Sequence, residues 1–277
     1  MIGSIVIPAH DEASVIRRTL APLAELAASG SIDVVVAANG CSDATAALAR
    51  EVSGVRVLEL TEPSKVMALN AADAATDRFP RIYLDADISA SQASIVAVMM
   101  ALSGGRALAA RPPFIYDTTG AAAVVRCYYR ARMRLPSNRR SLWGAGCYGM
   151  SQAGRAGFGA FPGLVADDYF VDTLFEAHEK QVVDTIPPVV RVPRTSADLR
   201  RVLRRTYSGN AELVRHLRAE SGESPPRSGN GQALLRSAAS LPDLRDAALY
   251  AAFSVVGRAQ LPGRATSRQR DESSRRS

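Results

Sequence analysis

Short apolar runs alternate with longer mixed stretches over the first hundred residues. The apolar runs are SIVIPA, IDVVVAAN, VRVLEL and RIYLDAD, and each has the length of a single buried strand. The stretches between them predict helices at residues 13–28, 43–52 and 66–75. Strands that alternate with helices in this way indicate βαβ units, so the sequence predicts an α/β fold with a mostly parallel sheet flanked by helices.

The alternation weakens after residue 104. The pattern there predicts helices at residues 121–135, 167–180 and 197–219, and the first and last of these are rich in arginine. The piece IPPVVRVPRT is predicted to be extended, while SGESPPRSGNGQ has the composition of a linker. The C-terminal RATSRQRDESSRRS is polar and basic, so we expect disorder there.

Polar residues gather where three of the predicted strands end. The first strand ends in PAHDE (residues 8–12), the second in NGCSD (39–43) and the fourth in DAD (85–87). In an open parallel sheet, ligands bind in a crevice outside the carboxyl ends of the strands. The sequence therefore predicts one ligand crevice to which three strands contribute.

Asp85 and Asp87 are the most informative pair at these strand ends. Alternate residues of a strand share a face, so the two carboxylates lie side by side where the chain leaves the sheet. Like charges placed together require a cation or hydrogen-bond donors, which favours half of a metal site. The structural alternative is that they form a turn, with Ser89 or Ser91 capping the next helix.

Three further motifs have a structural interpretation beside a functional one. Lys65 stands at a predicted helix start, where its ammonium group either meets a phosphate or faces solvent. Asp167 and Asp168 begin a predicted helix, either as a general base with its neighbour or as partners of the helix dipole. Asn39 and Asp43 suit either recognition of a base or ribose, or an Asn-Gly turn followed by a helix cap.

Two motifs are weaker. Glu12 lies just after Pro8, in a loop that either exposes backbone to a ligand or simply precedes a helix. Arg201, Arg204 and Arg205 lie along one side of a predicted helix. These arginines either clamp a diphosphate or form a solvated basic face.

Charge points to an anionic partner. The formal net charge is +7, and the positive charge is almost wholly arginine because Lys65 and Lys180 are the only lysines. Arginine favours recognition of phosphate, as in a nucleotide or an anionic membrane surface. Aromatic residues make up only 6% of the chain and no nucleic-acid-binding module is recognisable, so we expect no nucleic acid partner.

The cysteines and the apolar runs indicate a cytoplasmic protein. Cys41, Cys127 and Cys147 are odd in number and lack metal-site spacing, which predicts neither a disulfide framework nor a zinc site. The sequence MIGSIVIPAH does not have the pattern of a secretory signal, and no apolar run reaches about eighteen residues. We expect a cytoplasmic location, with peripheral contact at the inner membrane face as a further hypothesis.

In order and spacing, VIPAHDE, VVVAANGCSDAT, KVMALN, YLDAD and ADDYF resemble the family 2 glycosyltransferases of the GT-A fold. The resemblance covers residues 1–100, and more loosely 140–210. It implies a Rossmann-like, mostly parallel sheet flanked by helices, with a C-terminal acceptor-side half and a helical tail. The implied division is a nucleotide-sugar-binding half at 1–103, an acceptor-binding and catalytic-base half of the same GT-A domain at 104–219, a linker and C-terminal helix at 220–263, and a disordered basic tail at 264–277.

The resemblance also implies the reaction. Such an enzyme moves a sugar from a nucleotide diphosphate sugar, with UDP as the expected nucleotide, to a hydroxyl acceptor with inversion and with Mg²⁺ or Mn²⁺ as cofactor. The glycan, glycolipid or small-molecule glycoside that serves as acceptor is not implied. By position, Asp87 and Asp85 match the metal-binding DXD motif, and Asp168 or Asp167 matches the catalytic base. The matching nucleotide-sugar-binding residues are Pro8, Ala9, Glu12, Asn39, Asp43, Lys65 and Asp85, with Arg204 and Arg205 as candidates to hold the leaving diphosphate.

Two other functions compete with this one. A sugar-phosphate nucleotidyltransferase also binds nucleotides on a parallel sheet, but it should carry a glycine-rich loop after the first strand, where this chain reads PAHDEASV. A catalytically idle scaffold that binds a nucleotide sugar or a membrane surface would keep the sheet and lose the base. The presence of Asp85, Asp87 and Asp168 favours the enzyme.

Overall fold

The computed structural model describes residues 2–221 and 230–259 of the chain. The strands are β1 (Gly3–Ala9), β2 (Ile32–Asn39), β3 (Val55–Leu60), β4 (Arg81–Leu84), β5 (Ala109–Arg111), β6 (Ile115–Asp117), β7 (Cys147–Met150), β8 (Lys180–Val182) and β9 (Val189–Arg191). The α-helices are α1 (Ile16–Leu20), α2 (Ala24–Ala28), α3 (Thr45–Arg50), α4 (Lys65–Ala74), α5 (Gln92–Ser103), α6 (Ala123–Met133), α7 (Gln152–Ala156), α8 (Asp167–Thr173), α9 (Ser196–Ser221), α10 (Asn230–Arg236) and α11 (Leu241–Ala259).

The main sheet has seven strands in the order β3-β2-β1-β4-β7-β5-β8. β1 pairs in parallel with both β2 and β4, and β2 pairs in parallel with β3. β7 runs antiparallel to both of its neighbours, β4 and β5. The predicted mostly parallel sheet is therefore confirmed. Because β2 and β4 lie on opposite sides of β1, the strand order reverses there, and such a switch point is where open sheets bind ligands.

The central strands are buried along their whole length. Every residue of β1 is buried, and so is every residue of β4. Continuous apolar runs of this kind are expected for strands covered on both faces. The core cluster joins Ile5, Ile7, Val34, Val36, Ile82 and Leu84 of these strands to Ile16, Leu20, Ile95 and Val98 of the helices. Strand ends that project from so rigid a core hold their side chains in defined positions.

The described chain forms two compact units whose segments interleave in sequence. The first unit comprises the described residues up to Phe114, together with Ser141–Gly163 and Asp167–Val190. The second comprises Ile115–Arg140, Leu164–Ala166 and the described residues from Arg191 onward. The predicted functional division into 1–103, 104–219, 220–263 and 264–277 follows other boundaries and stays a prediction.

The second unit is mainly helical. Its core joins Val125, Tyr128 and Tyr129 of α6 to Leu199 and Leu203 of α9. α11 packs against both helices. Two ion pairs fix α11 to the C-terminal end of α6. Arg130 of α6 pairs with Asp246, at 2.8 Å from Nε to Oδ2, and Arg134, directly after α6, pairs with Asp243, at 2.6 Å from Nη1 to Oδ1.

The structure confirms the helices predicted at 13–28, 43–52 and 66–75, with one interruption. The stretch predicted as a helix at 13–28 is divided into α1, a 3₁₀ turn at Ala21–Leu23 and α2. Pro22 explains the division, because proline lacks the N–H that a continuous α-helix needs and its ring crowds the carbonyl four residues earlier. In the second unit, the arginine-rich helices predicted at 121–135 and 197–219 are present as α6 and α9.

The helix predicted at 167–180 is wrong in its second half. α8 ends at Thr173, and the chain enters β8 at Lys180. The Glu179 carbonyl accepts the backbone N–H groups of Leu108 and Ala109, at 2.9 and 3.2 Å, so pairing with the sheet outweighs local helix preference. The piece predicted to be extended contains β9, as expected. Most of the predicted linker, at residues 222–229, and the predicted tail at 264–277 lie outside the described residues.

Residues 247–256 (AALYAAFSVV) are a mostly apolar run too short to span a bilayer, and they lie within α11. Across the residues that the structure describes, no helix combines the length and the apolar character needed to cross a bilayer.

A buried charge network ties α4 to the sheet. Asp73 of α4 accepts hydrogen bonds from Arg81 and Tyr83 of β4, and its Oδ2 lies 2.8 Å from Nε of Arg155 in α7. Asp73 and Arg81 are almost fully buried. Burial alone would raise the pKa of Asp73, but the hydrogen bonds from Tyr83, Arg155 and Arg81 outweigh it and hold that pKa below its usual range. One carboxylate therefore compensates the buried guanidinium group of Arg81 and the partly buried one of Arg155.

We expect Asp73→Ala to destabilise the protein by about 3–5 kcal/mol, because it leaves buried charges without their partner. Urea unfolding followed by circular dichroism measures this loss. Since the pKa of Asp73 is lowered on folding, its contribution should be complete above about pH 4 and should decline as the pH falls through the lowered pKa.

Asp77→Ala is the matched control, because the Asp77 side chain is 89% exposed and pairs with the exposed Arg78. We expect this substitution to change the free energy of unfolding by no more than about 0.5 kcal/mol. Equal effects of the two substitutions would contradict a structural role for the Asp73 network.

Candidate active site

Lys65 joins three elements of the first unit at the carboxyl edge of the sheet. It is the first residue of α4, which is capped by the side chain of Ser64. Its Nζ lies 2.8 Å from Oδ1 of Asp85, after β4, and 2.7 Å from Oδ1 of Asp167, at the start of α8. Burial alone would lower the pKa of Lys65, but Asp167 and Asp85 outweigh it and raise that pKa above its usual range. Lys65 is therefore a permanent cation in this cluster.

Asp85 is held by its backbone as well as by Lys65. Its N–H donates to the Gly146 carbonyl at 2.8 Å, which continues the pairing of β4 with β7 by one residue. Burial raises the pKa of the Asp85 carboxyl; Lys65 opposes this increase, while Asp167 and Asp87 add to it. The negative charges are thus close enough to repel, and the cluster favours an additional cation.

Asp87 lies in the turn after β4, where the Ile88 N–H donates to the Asp85 carbonyl at 3.1 Å. The Asp87 backbone carbonyl accepts from Nη2 of Arg18 at 3.3 Å. Within the described residues, no donor forms a hydrogen bond with the Asp87 carboxylate. Oxygen atoms of carboxylates are what Mg²⁺ and Mn²⁺ prefer, so Asp85 and Asp87 fit a divalent cation in donor type and in charge.

The two adjacent acids of α8 have different surroundings. Asp167 is 6% exposed, and both of its oxygens are engaged, Oδ1 by Lys65 and Oδ2 by the Tyr148 hydroxyl at 3.0 Å. Asp168 is half-buried, and in the described part of the chain its oxygens accept only backbone N–H groups, from Gly144 at 3.0 Å and from Tyr169 at 2.7 Å. Of the two carboxylates, Asp168 is the more open to an incoming group.

The surroundings of Asp168 raise its pKa to about 6. Burial is the main cause and the nearby charge of Asp167 adds to it, whereas Lys65 and the Gly144 N–H act in the opposite direction. A carboxylate with this pKa is mostly ionised at pH 7 and is a stronger base than an ordinary aspartate. Asp168 can therefore accept a proton near neutral pH.

Gly144, Gly146 and Tyr148 belong to this site but were not predicted from the sequence. Gly144 and Gly146 have φ angles of 93° and 60°, which favour glycine. A Cβ on Gly146 would lie 2.6 Å from Cγ1 of Ile88 and 3.0 Å from Oδ2 of Asp85. The signal was the glycine-rich WGAGCYG, but only the antiparallel pairing of β7 with β4 brings it beside Asp85.

The loops after β1 and β2 are tied to each other. Asn39 donates its side-chain amide to the Ala9 carbonyl at 2.7 Å, and Asp43 accepts the Ala13 N–H at 3.0 Å. Asp43 also accepts from the side chain and the N–H of Thr45, the first residue of α3, but the N-cap position of that helix is Ala44, so Asp43 stands one residue before the cap that the structural interpretation expected. Burial alone would raise the pKa of Asp43, but these hydrogen bonds outweigh it and lower that pKa.

The remaining residues predicted to bind the nucleotide lie as follows. Pro8 and Ala9 are buried at the end of β1, and Glu12 is buried in the next loop, where its N–H donates to Thr45 Oγ1 at 2.7 Å. Arg204 and Arg205 lie on α9, in the second unit. For all of these residues, as for Asn39 and Asp43, contact with a nucleotide sugar stays a prediction.

One group of three different potential metal ligands occurs in the described ranges, and it was not predicted from the sequence. Ligand atoms of His10, Asp11 and Cys41 lie within 4.8 Å of one another. However, Asp11 Oδ1 already accepts the Ser42 N–H at 2.7 Å, and burial raises the pKa of the Cys41 thiol, which disfavours the thiolate that binds metals. Asp85 and Asp87 are the better pair for a hard cation.

The sequence profile of the family described as Glycosyl transferase family 2 matches residues 4–155. Because the match spans more than half of the chain, the protein belongs to glycosyl transferase family 2. No curated protein matches the chain.

Solved structures share the fold at low sequence identity. The mannosyltransferase PcManGT from Pyrobaculum calidifontis, in complex with GDP-Man and Mn²⁺, is 17% identical, with a TM-score of 0.64 over 92% of this chain and 83% of that one. Glucosyl-3-phosphoglycerate synthase from Mycobacterium tuberculosis, in complex with Mn²⁺, UDP-Glc and phosphoglyceric acid, is 20% identical, with a TM-score of 0.55 over 82% and 81%. S. aureus TarS 1-349 is 12% identical, with a TM-score of 0.54 over 92% and 80%. The expected GT-A fold is confirmed.

We expect Gly146→Ala to destabilise the protein by about 2 kcal/mol or more. The fold requires a left-handed backbone at this position, which costs an alanine about 1–2 kcal/mol. The new methyl group would also collide with Ile88 and crowd Asp85. Chemical unfolding followed by circular dichroism gives the free energy of unfolding.

Gly105→Ala is the control, because it measures the cost of the left-handed backbone conformation alone. Gly105 has a φ angle of 74°, and no described atom lies within 4 Å of the position that the new methyl group would occupy. The expected cost of this substitution is about 1 kcal/mol. If Gly146→Ala costs no more than Gly105→Ala, the close approach of β7 to Asp85 is not a constraint on the site.

Proposed function

We propose that this member of glycosyl transferase family 2 is an inverting, metal-dependent glycosyltransferase that moves a sugar from a nucleotide diphosphate sugar to a hydroxyl acceptor. The observation that carries the proposal is the half-buried Asp168, with a pKa raised to about 6, beside the cluster of Lys65, Asp85 and Asp167. A base whose pKa lies near the working pH, next to acids suited to a metal, is what sugar transfer to a hydroxyl group requires.

Asp168 would act as the general base. The backbone N–H groups of Gly144 and Tyr169 fix the carboxylate while leaving it able to take a proton from an acceptor hydroxyl. The attack then comes from the face of the sugar opposite the leaving diphosphate, which inverts the anomeric centre. Asp167 would orient the cluster through Lys65 and Tyr148, because both of its oxygens are already engaged.

Asp87 and Asp85 would hold Mg²⁺ or Mn²⁺, with Asp85 also close to the donor ribose. When bound, such a cation neutralises negative charge on the departing diphosphate. Lys65 would hold the carboxylates of Asp85 and Asp167 in place through its two ion pairs. Pro8, Ala9, Glu12, Asn39 and Asp43 are proposed to receive the nucleotide, and Arg204 and Arg205 to assist the diphosphate.

The solved structures with this fold support the donor class. PcManGT was solved with GDP-Man and Mn²⁺, and the M. tuberculosis synthase with UDP-Glc and Mn²⁺. The two bases differ, so the UDP preference of this chain is proposed from its family resemblance alone. A hexose as the transferred sugar, a cytoplasmic location and Mg²⁺ as an alternative to Mn²⁺ stay predictions.

We expect Asp168→Asn to lower kcat by roughly 10²–10⁴-fold while donor binding is retained, because the amide cannot accept the proton. For the parent, kcat/KM should fall as the pH drops below about 6, since protonated Asp168 is no longer a base. Steady-state transfer assays between pH 5 and 8, with calorimetry of donor binding, measure both effects.

Asp184→Asn is the matched control, because Asp184 is exposed and outside the cluster; it should leave kcat unchanged. If Asp168→Asn still transferred sugar, and its kcat/KM still fell below about pH 6 as in the parent, the general base would be another residue. A parent that binds donor but transfers no sugar to any acceptor would favour the idle scaffold.

We expect one nucleoside diphosphate among UDP, GDP, dTDP and CDP to raise the melting temperature by a few degrees when Mn²⁺ is present. A ligand present at about a hundred times its dissociation constant stabilises the folded protein by about 2.7 kcal/mol, which corresponds to a shift of this size in the melting temperature. In Asp87→Asn the shift should disappear, because the metal loses a carboxylate ligand. Differential scanning fluorimetry of both proteins measures it.

Asp77→Asn serves as the control, since it changes the same group at an exposed position away from the cluster. A diphosphate that stabilises the parent equally with and without Mn²⁺ would contradict the metal site at Asp85 and Asp87.

A further inference from the structure

α11 of the second unit has an apolar face that the described protein leaves uncovered. Asp246, Ala247, Ser254 and Gly257 are buried on one side of this helix. The opposite side consists of Leu241, Leu244, Ala248, Ala251, Ala252, Val255, Val256 and Ala259, all of them exposed. We call these eight residues the α11 stripe.

The spacing of the α11 stripe follows the helical period, so its residues form one continuous surface. The exposed fractions of Leu241, Leu244 and Val255 are 81%, 47% and 63%. With 19 residues, α11 is roughly 28 Å long. An exposed apolar surface of this extent usually marks a site that binds a protein or a membrane.

The part of the chain whose side chains are not described offers little to cover this stripe. Its large apolar residues are Met1, Leu235 and Leu261. Three such side chains are too few to bury a surface of eight residues.

The charges around the stripe identify the kind of partner. Arg245 and Arg258 are the charged residues on the exposed side of α11, and both are exposed. The acidic residues of α11 are already paired: Asp246 with Arg130 and, at 3.3 Å, with the Nη2 of Arg245, and Asp243 with Arg134. Asp246 is thus shared by two arginines, which leaves the local charge positive. The surface of the stripe is thus apolar in its middle and positive toward both ends.

A second copy of the chain fits this pattern poorly. An antiparallel pair of α11 helices centred on the stripe would place Arg245 of one copy at the same end of the contact as Arg258 of the other. A parallel pair would place each arginine at the same end as its own equivalent. Like charges at both ends of an otherwise apolar contact oppose association, so the pattern favours a negatively charged partner.

We propose that the α11 stripe binds the surface of a membrane that contains anionic phospholipid. The apolar side chains enter the boundary between headgroups and acyl chains, and Arg245 and Arg258 meet lipid phosphates. The Arg258 guanidinium lies 4.9 Å from the ring centroid of Tyr207, so its charge is held at the edge of the stripe. The sequence after α11 adds five arginines against two acidic residues in 264–277. This inference is independent of the proposed catalytic function.

Vesicle co-sedimentation of the full chain tests the proposal. We expect the protein to sediment with phosphatidylcholine vesicles that contain phosphatidylglycerol, and at least tenfold less with phosphatidylcholine alone. Leu244→Asp and Leu241→Asp, which place a negative charge on the stripe, should each lower the bound fraction severalfold. Raising the salt concentration should also lower it, because part of the attraction is electrostatic.

Met100→Asp is the matched control, since Met100 is 66% exposed on α5, outside the stripe. It should bind vesicles like the parent, and circular dichroism melts should show that all three variants are folded. Two exposed positions in the stripe are tested, so that misfolding of one variant does not decide the result.

Three results would overturn the proposal. The parent could fail to bind anionic vesicles, or Met100→Asp could lose binding as strongly as the stripe variants. Light scattering could also show a dimer without lipid that Leu244→Asp converts to a monomer, which would assign the stripe to a second copy of the chain.

Discussion

The candidate site depends on the position of one ammonium group. Lys65 is fixed as the first residue of α4, and it binds carboxylates that follow β4 and begin α8. The charge of Asp167 raises the pKa of both Asp85 and Asp168, so these three carboxylates are close enough to repel one another unless a cation lies among them. Lys65 supplies that charge from the protein itself. The carboxylates are therefore arranged before any ligand arrives, which is the condition for electrostatic preorganisation.

Sheet topology decides which groups meet at this lysine. β1 lies between β2 and β4, and all three run in the same direction, so their carboxyl ends share one edge. β7 runs the other way beside β4, and it therefore brings the segment before β7, rather than the one after it, to that edge. Gly144 and Gly146 reach the aspartates for this reason. The same pairing places the hydroxyl of Tyr148 on Asp167.

The sequence was sufficient for the parts of the fold and site that depend on local pattern. Continuous apolar runs predicted the parallel strands, and the position of Asp85 at a strand end predicted that it lies at the carboxyl edge of the sheet, whereas its contact with Lys65 was not predicted. The break at Pro22 and the early end of α8 were missed, because a helical pattern there continued past a proline and past a segment that pairs with β5. The roles of Gly144, Gly146 and Tyr148 depend on antiparallel pairing between distant segments, which no local pattern encodes. The preference for Asp168 over Asp167 likewise required knowledge of which oxygens are already engaged.

The interleaving of the two units constrains how this protein can be divided. The chain leaves the first unit after Phe114, returns at Ser141, and crosses again on either side of Leu164–Ala166 and after Val190. No single cut of the backbone separates one intact unit from the other. A truncated fragment that ends before Ser141 would lack β7 and α8, and with them every group that surrounds Lys65 except Asp85. Recombination or gene fission at one point would therefore not yield two folded parts, and the units are expected to be inherited together.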